Sequence, residues 1–134
     1  MSANPTPLSL GDPLDLDDGR RAASALARQC RNGVDELDRA VRAHAEAEHA
    51  YRVAYALKLV ELRGDAVPVG LATELAKGEA KVAGLKFDRD LAKGMIDVAR
   101  ERLRQLDGER ASLRQLLEWS RKFEDRPFTE RQAA

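Results

Sequence analysis

Four side chains in one short stretch have the chemistry to hold a metal: His44, Glu46, Glu48 and His49. His44 and Glu48 stand four apart, which places them on one face of a helix. Glu46-x-x-His49 has the spacing with which helical di-metal carboxylate proteins present a glutamate and a histidine inward. Asp88 and Asp90 would add carboxylates if a second helix ran alongside. Such a site needs the Glu-x-x-His unit on two helices, and this chain carries it once. Glu46 and His49 also fall on the outer side of the helix, turned away from the face that holds His44. They read as solvated surface groups, and no metal ligand set is assigned.

Nothing else has the pattern of a reaction centre. Cys30 is the only cysteine, which excludes an internal disulfide and a cysteine cluster for zinc. Gly78, Gly84, Gly94 and Gly108 are spread along a helical pattern with no strand before them, so they make no phosphate loop. No Ser/His/Asp or Cys/His set shares a rigid scaffold. The expectation is a protein without catalytic residues and without a cofactor.

Two clusters are suited to binding instead. Arg20, Arg21, Arg28 and Arg31 lie early in the chain; Arg110, Arg114, Arg121 and Lys122 lie late, together with Arg100, Arg102 and Arg104. Brought together, they form a basic zone that could contact phosphates, although the formal net charge of the chain is zero. Glu101, Asp107, Glu109 and Glu118 stand at ion-pair spacing on the same stretch, and aromatic residues make up only 4% of the chain. That favours an internally paired, solvated face over a nucleic-acid platform. The second cluster is Leu113, Leu116, Leu117 and Trp119. A tryptophan beside leucines is the type of group that anchors a protein interface.

The elements that position these groups follow from periodicity. From Leu75, alternate steps of three and four reach Gly78, Val82, Leu85, Arg89, Ala92, Ile96, Ala99, Leu103, Leu106, Arg110, Leu113, Leu117 and Ser120. That is a heptad seam, and no proline interrupts it between Val69 and Arg126. It predicts one helix over residues 71–123. A second seam through Val34, Leu37, Val41, His44, Glu48, Tyr51, Tyr55, Lys58 and Leu62 predicts a helix over 19–63, capped by Asp17 or Asp18. Asn32-Gly33 is its weak point, where a kink or break near 33 is expected. Residues 64–70 read as the loop, with Gly64 as a left-handed cap and Pro68 just beyond. That role explains the Arg63-Gly64-Asp65 sequence without an adhesion function.

The predicted fold is therefore all-α: a long antiparallel two-helix coiled-coil hairpin over residues 19–126. It is preceded by an extended acidic arm, 1–18, and followed by a polar tail, 127–134. Folding near residue 67 pairs positions whose numbers sum to about 134–137, which sets Glu48 against Arg89, Tyr55 against Val82 and Lys58 against Gly78. A two-helix hairpin cannot cover its own apolar surface. Leu57, Val60, Leu91, Met95, Val98, Leu116 and Trp119 fall off the seam, so completion by oligomerisation or a partner is expected. No apolar run has the length of a membrane span, and the N-terminus lacks the layout of a signal peptide. A cytoplasmic protein without membrane contact is the resulting expectation.

The run Ala47-Glu48-His49-Ala50-Tyr51-Arg52-Val53-Ala54-Tyr55-Ala56, a Gly/Pro loop, and then Leu113-Arg114-Gln115-Leu116-Leu117-Glu118-Trp119-Ser120-Arg121 resembles small helical-hairpin proteins encoded by phages and prophages of high-GC bacteria. The resemblance covers roughly residues 34–123. It implies a setting, the host cytoplasm or the virion, and assigns no functional residue. Together these readings point to a non-enzymatic interaction or assembly protein that works as a homo-oligomer or on a helical protein partner. The alternative is an accessory factor of recombination or replication that contacts nucleic acid through the arginine-rich end.

Overall fold

The structure, a computed structural model, describes residues 16–124. These residues are all-α. Three helices follow one another: α1 (Leu16–Gly64), α2 (Val69–Gly78) and α3 (Ala80–Glu124). Most of the arm read over 1–18, and the tail from 127, lie outside the described residues.

Helix α1 starts three residues before the expected position, so Asp17 and Asp18 sit in its first turn rather than capping it. Carboxylates there still oppose the positive end of the helix dipole. The helix runs through Asn32-Gly33 without a break. Gly33 is buried, within a stretch that stays helical despite its poor helix propensity.

The end of α1 also differs from expectation. Gly64 is helical, and Ala66 takes the left-handed conformation, with φ 62°. The Val67 amide donates to the Leu62 carbonyl and the Ala66 amide to the Arg63 carbonyl, each at 3.1 Å. Those two bonds define a Schellman cap with Ala66 as the residue after the cap. Arg63 Nη1 donates to the Val67 carbonyl at 2.8 Å and closes the turn from outside. Pro68, with φ −57° and ψ 147°, then opens α2.

The predicted single helix over 71–123 is broken at Glu79, whose backbone is extended (φ −66°, ψ 134°). Gly78 ends α2 at a position of low helix propensity. The Glu79 carboxylate then accepts from the Val82 amide at 2.9 Å, satisfying a free donor in the first turn of α3. The break shifts the apolar phase by one residue. Ala72 and Ala76 are fully buried, while Leu75 is 47% exposed and Gly78 is exposed. From Val82 onward the expected positions are buried or half-buried through Ser120, with Arg110 the exception.

The chain divides into two compact units, residues 31–104 and residues 1–30 with 105–134. In the first, the buried side chains are Ala72, Ala76, Val82 and Ala99. On α1 the covered residues of this unit include Leu37, His44, Tyr51 and Lys58, as expected, and the small residues Gly33, Ala40, Ala47 and Ala54. Val34 and Val41, placed on the seam by sequence, are 57% and 45% exposed. Small residues let a neighbouring backbone come close, so the helix presents alanines inward and its valines outward. In the other unit Leu106 and Ser120 are buried; Ala23, Leu26, Leu113, Leu117 and Phe123 are half-buried.

Candidate interaction surfaces

In the 31–104 unit, α1 and α3 meet through side chains that the sequence paired differently. Arg89 lies over the Tyr51 ring, 4.6 Å from its centroid, and its guanidinium donates to Asp90 at 3.1 Å. Glu48, expected opposite Arg89, instead accepts from Arg52 at 2.9 Å, one turn along its own helix. Arg102 Nε stands 3.7 Å from Glu36 Oε2. The pairs Tyr51–Arg89 and Glu36–Arg102 sum to 140 and 138, three and one above the upper end of the expected 134–137. Lys58 pairs with Glu61 at 3.4 Å and lines a hollow with Leu57, Glu79 and Val82 rather than covering Gly78.

That hollow, of about 180 Å³, holds Glu79, the carboxyl group among the described residues whose pKa is displaced. The Val82 amide holds the Glu79 carboxyl below its ordinary value; desolvation opposes it, and the Lys81 amide adds a lesser lowering. Lys58 and Lys81 add to the lowering. The sequence signal for this cap was faint, because glutamate is not among the favoured N-cap types.

Further along the unit a groove of about 490 Å³ is floored by Ala40, Ala43, Met95, Val98 and Ala99, with Glu36, Arg39 and Arg102 at its edge. Met95 and Val98 are 52% and 60% exposed. Leu57, Val60 and Leu91 are 65%, 70% and 58% exposed, so these five off-seam residues stand outward as expected. Val53 and Phe87 are also outward, and sequence reasoning missed them because neither seam required their cover.

In the other unit the leucine–tryptophan cluster divides. Leu113 and Leu117 are half-buried and, with Ala23, Arg110 and Arg114, line a groove of about 260 Å³. Leu116 and Trp119 are exposed, and the indole stacks on Phe123 with centroids 5.6 Å apart. Arg20 reaches Asp17 at 4.0 Å. Arg21, Arg28, Arg110, Arg114, Arg121 and Lys122 are exposed and make no ion pair with another described residue. The internal pairing expected from Asp107, Glu109 and Glu118 is thus not formed, whereas Glu101 does pair with Arg104 at 2.8 Å. Arg31 belongs to the 31–104 unit rather than to this group.

The metal-type side chains stay dispersed. His44 and Glu48 are half-buried, Glu46, His49, Asp88 and Asp90 are exposed, and no three such groups stand together among the described residues. No described helix is long and apolar enough to cross a membrane. No protein-family model, curated protein or solved structure matches the chain.

Proposed function

We propose that this is a non-enzymatic helical assembly protein: an antiparallel coiled-coil hairpin that completes its core by packing on a second helical hairpin, first of all another copy of itself. One observation carries the reading. The large side chains in the described core are Val82 and Leu106, whereas fourteen large hydrophobic residues remain 43–70% exposed. A folded monomer does not normally leave so much apolar surface in water.

The magnitudes favour self-association. Val53, Leu57, Val60, Leu91, Met95 and Val98 are on average a little over half exposed. At roughly 2 kcal/mol for fully burying each, covering them contributes about 7 kcal/mol per copy and about 14 kcal/mol for two. Association costs roughly 4–15 kcal/mol, so a two-fold pair is within reach. In the setting that the phage resemblance implies, such a protein would work in the host cytoplasm or within the virion. Sedimentation at micromolar concentration tests the reading: a dimer or higher oligomer is expected, and a cooperatively melting monomer contradicts it.

Arg21, Arg28, Arg110, Arg114, Arg121 and Lys122, in one unit and without an ion pair to another described residue, support a second reading, an accessory factor that touches nucleic acid phosphates. Its affinity would fall steeply with salt and would vanish in Arg110→Gln/Arg114→Gln/Arg121→Gln. Anisotropy titration with single- and double-stranded DNA and RNA at two salt concentrations tests it, and no binding at low salt removes it.

A further inference from the structure

We infer that two copies pair through one face of the 31–104 unit, about a two-fold axis that runs along the helices, so that α1 of each copy packs on α3 of the other. The inference rests on the self-association proposed above and names its surface and its symmetry. Both hollows of the unit open on that face. Ala43 and Met95 line one, Leu57 and Lys81 the other, and each helix advances fourteen residues, two heptads, between them. The opposite flank of α3 repeats at the same spacing through Lys86, Asp90, Lys93, Asp97, Arg100 and Arg104, all exposed. The apolar flank of α3 is the one on the groove.

Large and small residues are complementary across this face. On α3, Leu91, Met95 and Val98 are 52–60% exposed, and level with them on α1 stand Ala40, Ala43 and Ala47. Towards the loop the roles reverse. Leu57 of α1 is 65% exposed and lies level with Gly84 of α3, where an added Cβ meets nothing within 4 Å. Val98 with Ala40, Met95 with Ala43 and Leu57 with Gly84 sum to 138–141, within one of the 138 and 140 of Glu36–Arg102 and Tyr51–Arg89. A two-fold along the helices keeps every level and exchanges α1 for α3. Each large side chain of one copy then meets a small residue of the other, as knobs meet holes.

Charge selects the same axis. Glu61 on α1 stands level with Lys81 on α3, and Glu36 with Arg102, which it already approaches at 3.7 Å in its own chain. At both ends of the face, therefore, each glutamate meets a cation of the other copy. A two-fold across the helices, through the middle of the face, would set Glu36 against Glu61 and Lys81 against Arg102, like charge on like. Asp88, level with Ala50, is the charged residue on the α3 stripe between Gly84 and Val98, and its desolvation limits the affinity.

Sedimentation equilibrium of full-length Glu61→Lys and Lys81→Glu, alone and mixed, tests the pairing. Alone, each variant sets like charges together at two places in the symmetric pair, so its dissociation constant should rise by about tenfold. An equimolar mixture should recover the parent value, because the reversed charge of one chain meets the reversed charge of the other. Helicity by circular dichroism should be unchanged throughout. Variants that associate as tightly as the parent chain place the contact on another surface, and variants that associate more tightly assign the axis across the helices. Either result, or a mixture no tighter than its components, overturns the inference while self-association stands. A monomeric parent chain removes both.

Discussion

Truncating Leu91 and Val98 to alanine together should weaken self-association while leaving each chain folded. The two substitutions remove three and two methylene equivalents, at about 0.8 kcal/mol each when fully buried. The side chains are 58% and 60% exposed, so the share that association can cover is roughly 1.4 and 1.0 kcal/mol. Across two copies this sums to about 4.8 kcal/mol if the whole exposed surface is covered and about 2.4 kcal/mol if half is. The dissociation constant should then rise roughly 50- to 3,000-fold, since about 1.4 kcal/mol is a factor of ten. Sedimentation equilibrium over a concentration series reads this directly. Val82→Ala is the control. That side chain is 2% exposed, so its loss should cost about 2 kcal/mol of stability through transfer and cavity terms. It should not change the interface itself. A double variant that self-associates as tightly as the parent chain would show that another surface makes the contact.

Ala66→Gly should stabilise the chain by about 0.5 kcal/mol, because the left-handed residue loses its steric penalty while glycine adds unfolded-state entropy; the urea midpoint checks it. Gly94→Ala and Gly108→Ala should each add about 0.5–1 kcal/mol, since a new Cβ meets no heavy atom within 4 Å and neither glycine has positive φ. A loss in thermal melting at either site would reveal a neighbour packed on it. The Glu79 cap should contribute fully above the unfolded glutamate pKa, about 4.3, and disappear as pH falls through the lower folded value. The Val82 amide should exchange faster across that window, and Glu79→Gln should remove the pH dependence; an unchanged rate would show that the cap does not hold the break.

Most of the helical content was legible because burial along α3 follows the alternating three-and-four pattern. Val82, Leu85, Ala92, Ile96, Ala99, Leu103 and Leu106 are all buried or half-buried, as periodicity requires. The break at Glu79 was not legible, since no proline marks it and its capping group is a glutamate. Its trace is the one-residue slip by which Ala72 and Ala76 are buried while Leu71 and Leu75 beside them are exposed. The face of α1 was half legible for a related reason. Periodicity identifies a stripe, but ranking by hydrophobicity chose Val34 and Val41, while close approach selects Gly33 and Ala40 beside them. The register error has the same root. A loop centred near residue 67 leaves the offset open, and the Tyr51–Arg89 and Glu36–Arg102 contacts raise the paired sums by one to three beyond the expected range.

The binding surfaces were legible as composition and illegible as assignment. Leu57, Val60, Leu91, Met95, Val98, Leu116 and Trp119 are outward because two helices offer each other only one stripe apiece, a consequence readable from spacing alone. Charge pairing is different, because ion pairs on an exposed helix are worth only tenths of a kilocalorie per mole. Glu48 takes Arg52 rather than Arg89, and Glu109 and Glu118 leave their arginine neighbours unpaired, with little energy separating these outcomes. Sequence spacing therefore cannot say which cations remain open to a ligand. It is the combination of Arg110 and Arg114, without ion-pair partners among the described residues, and a groove floored by Leu113 and Leu117 that distinguishes this end from an ordinary solvated face.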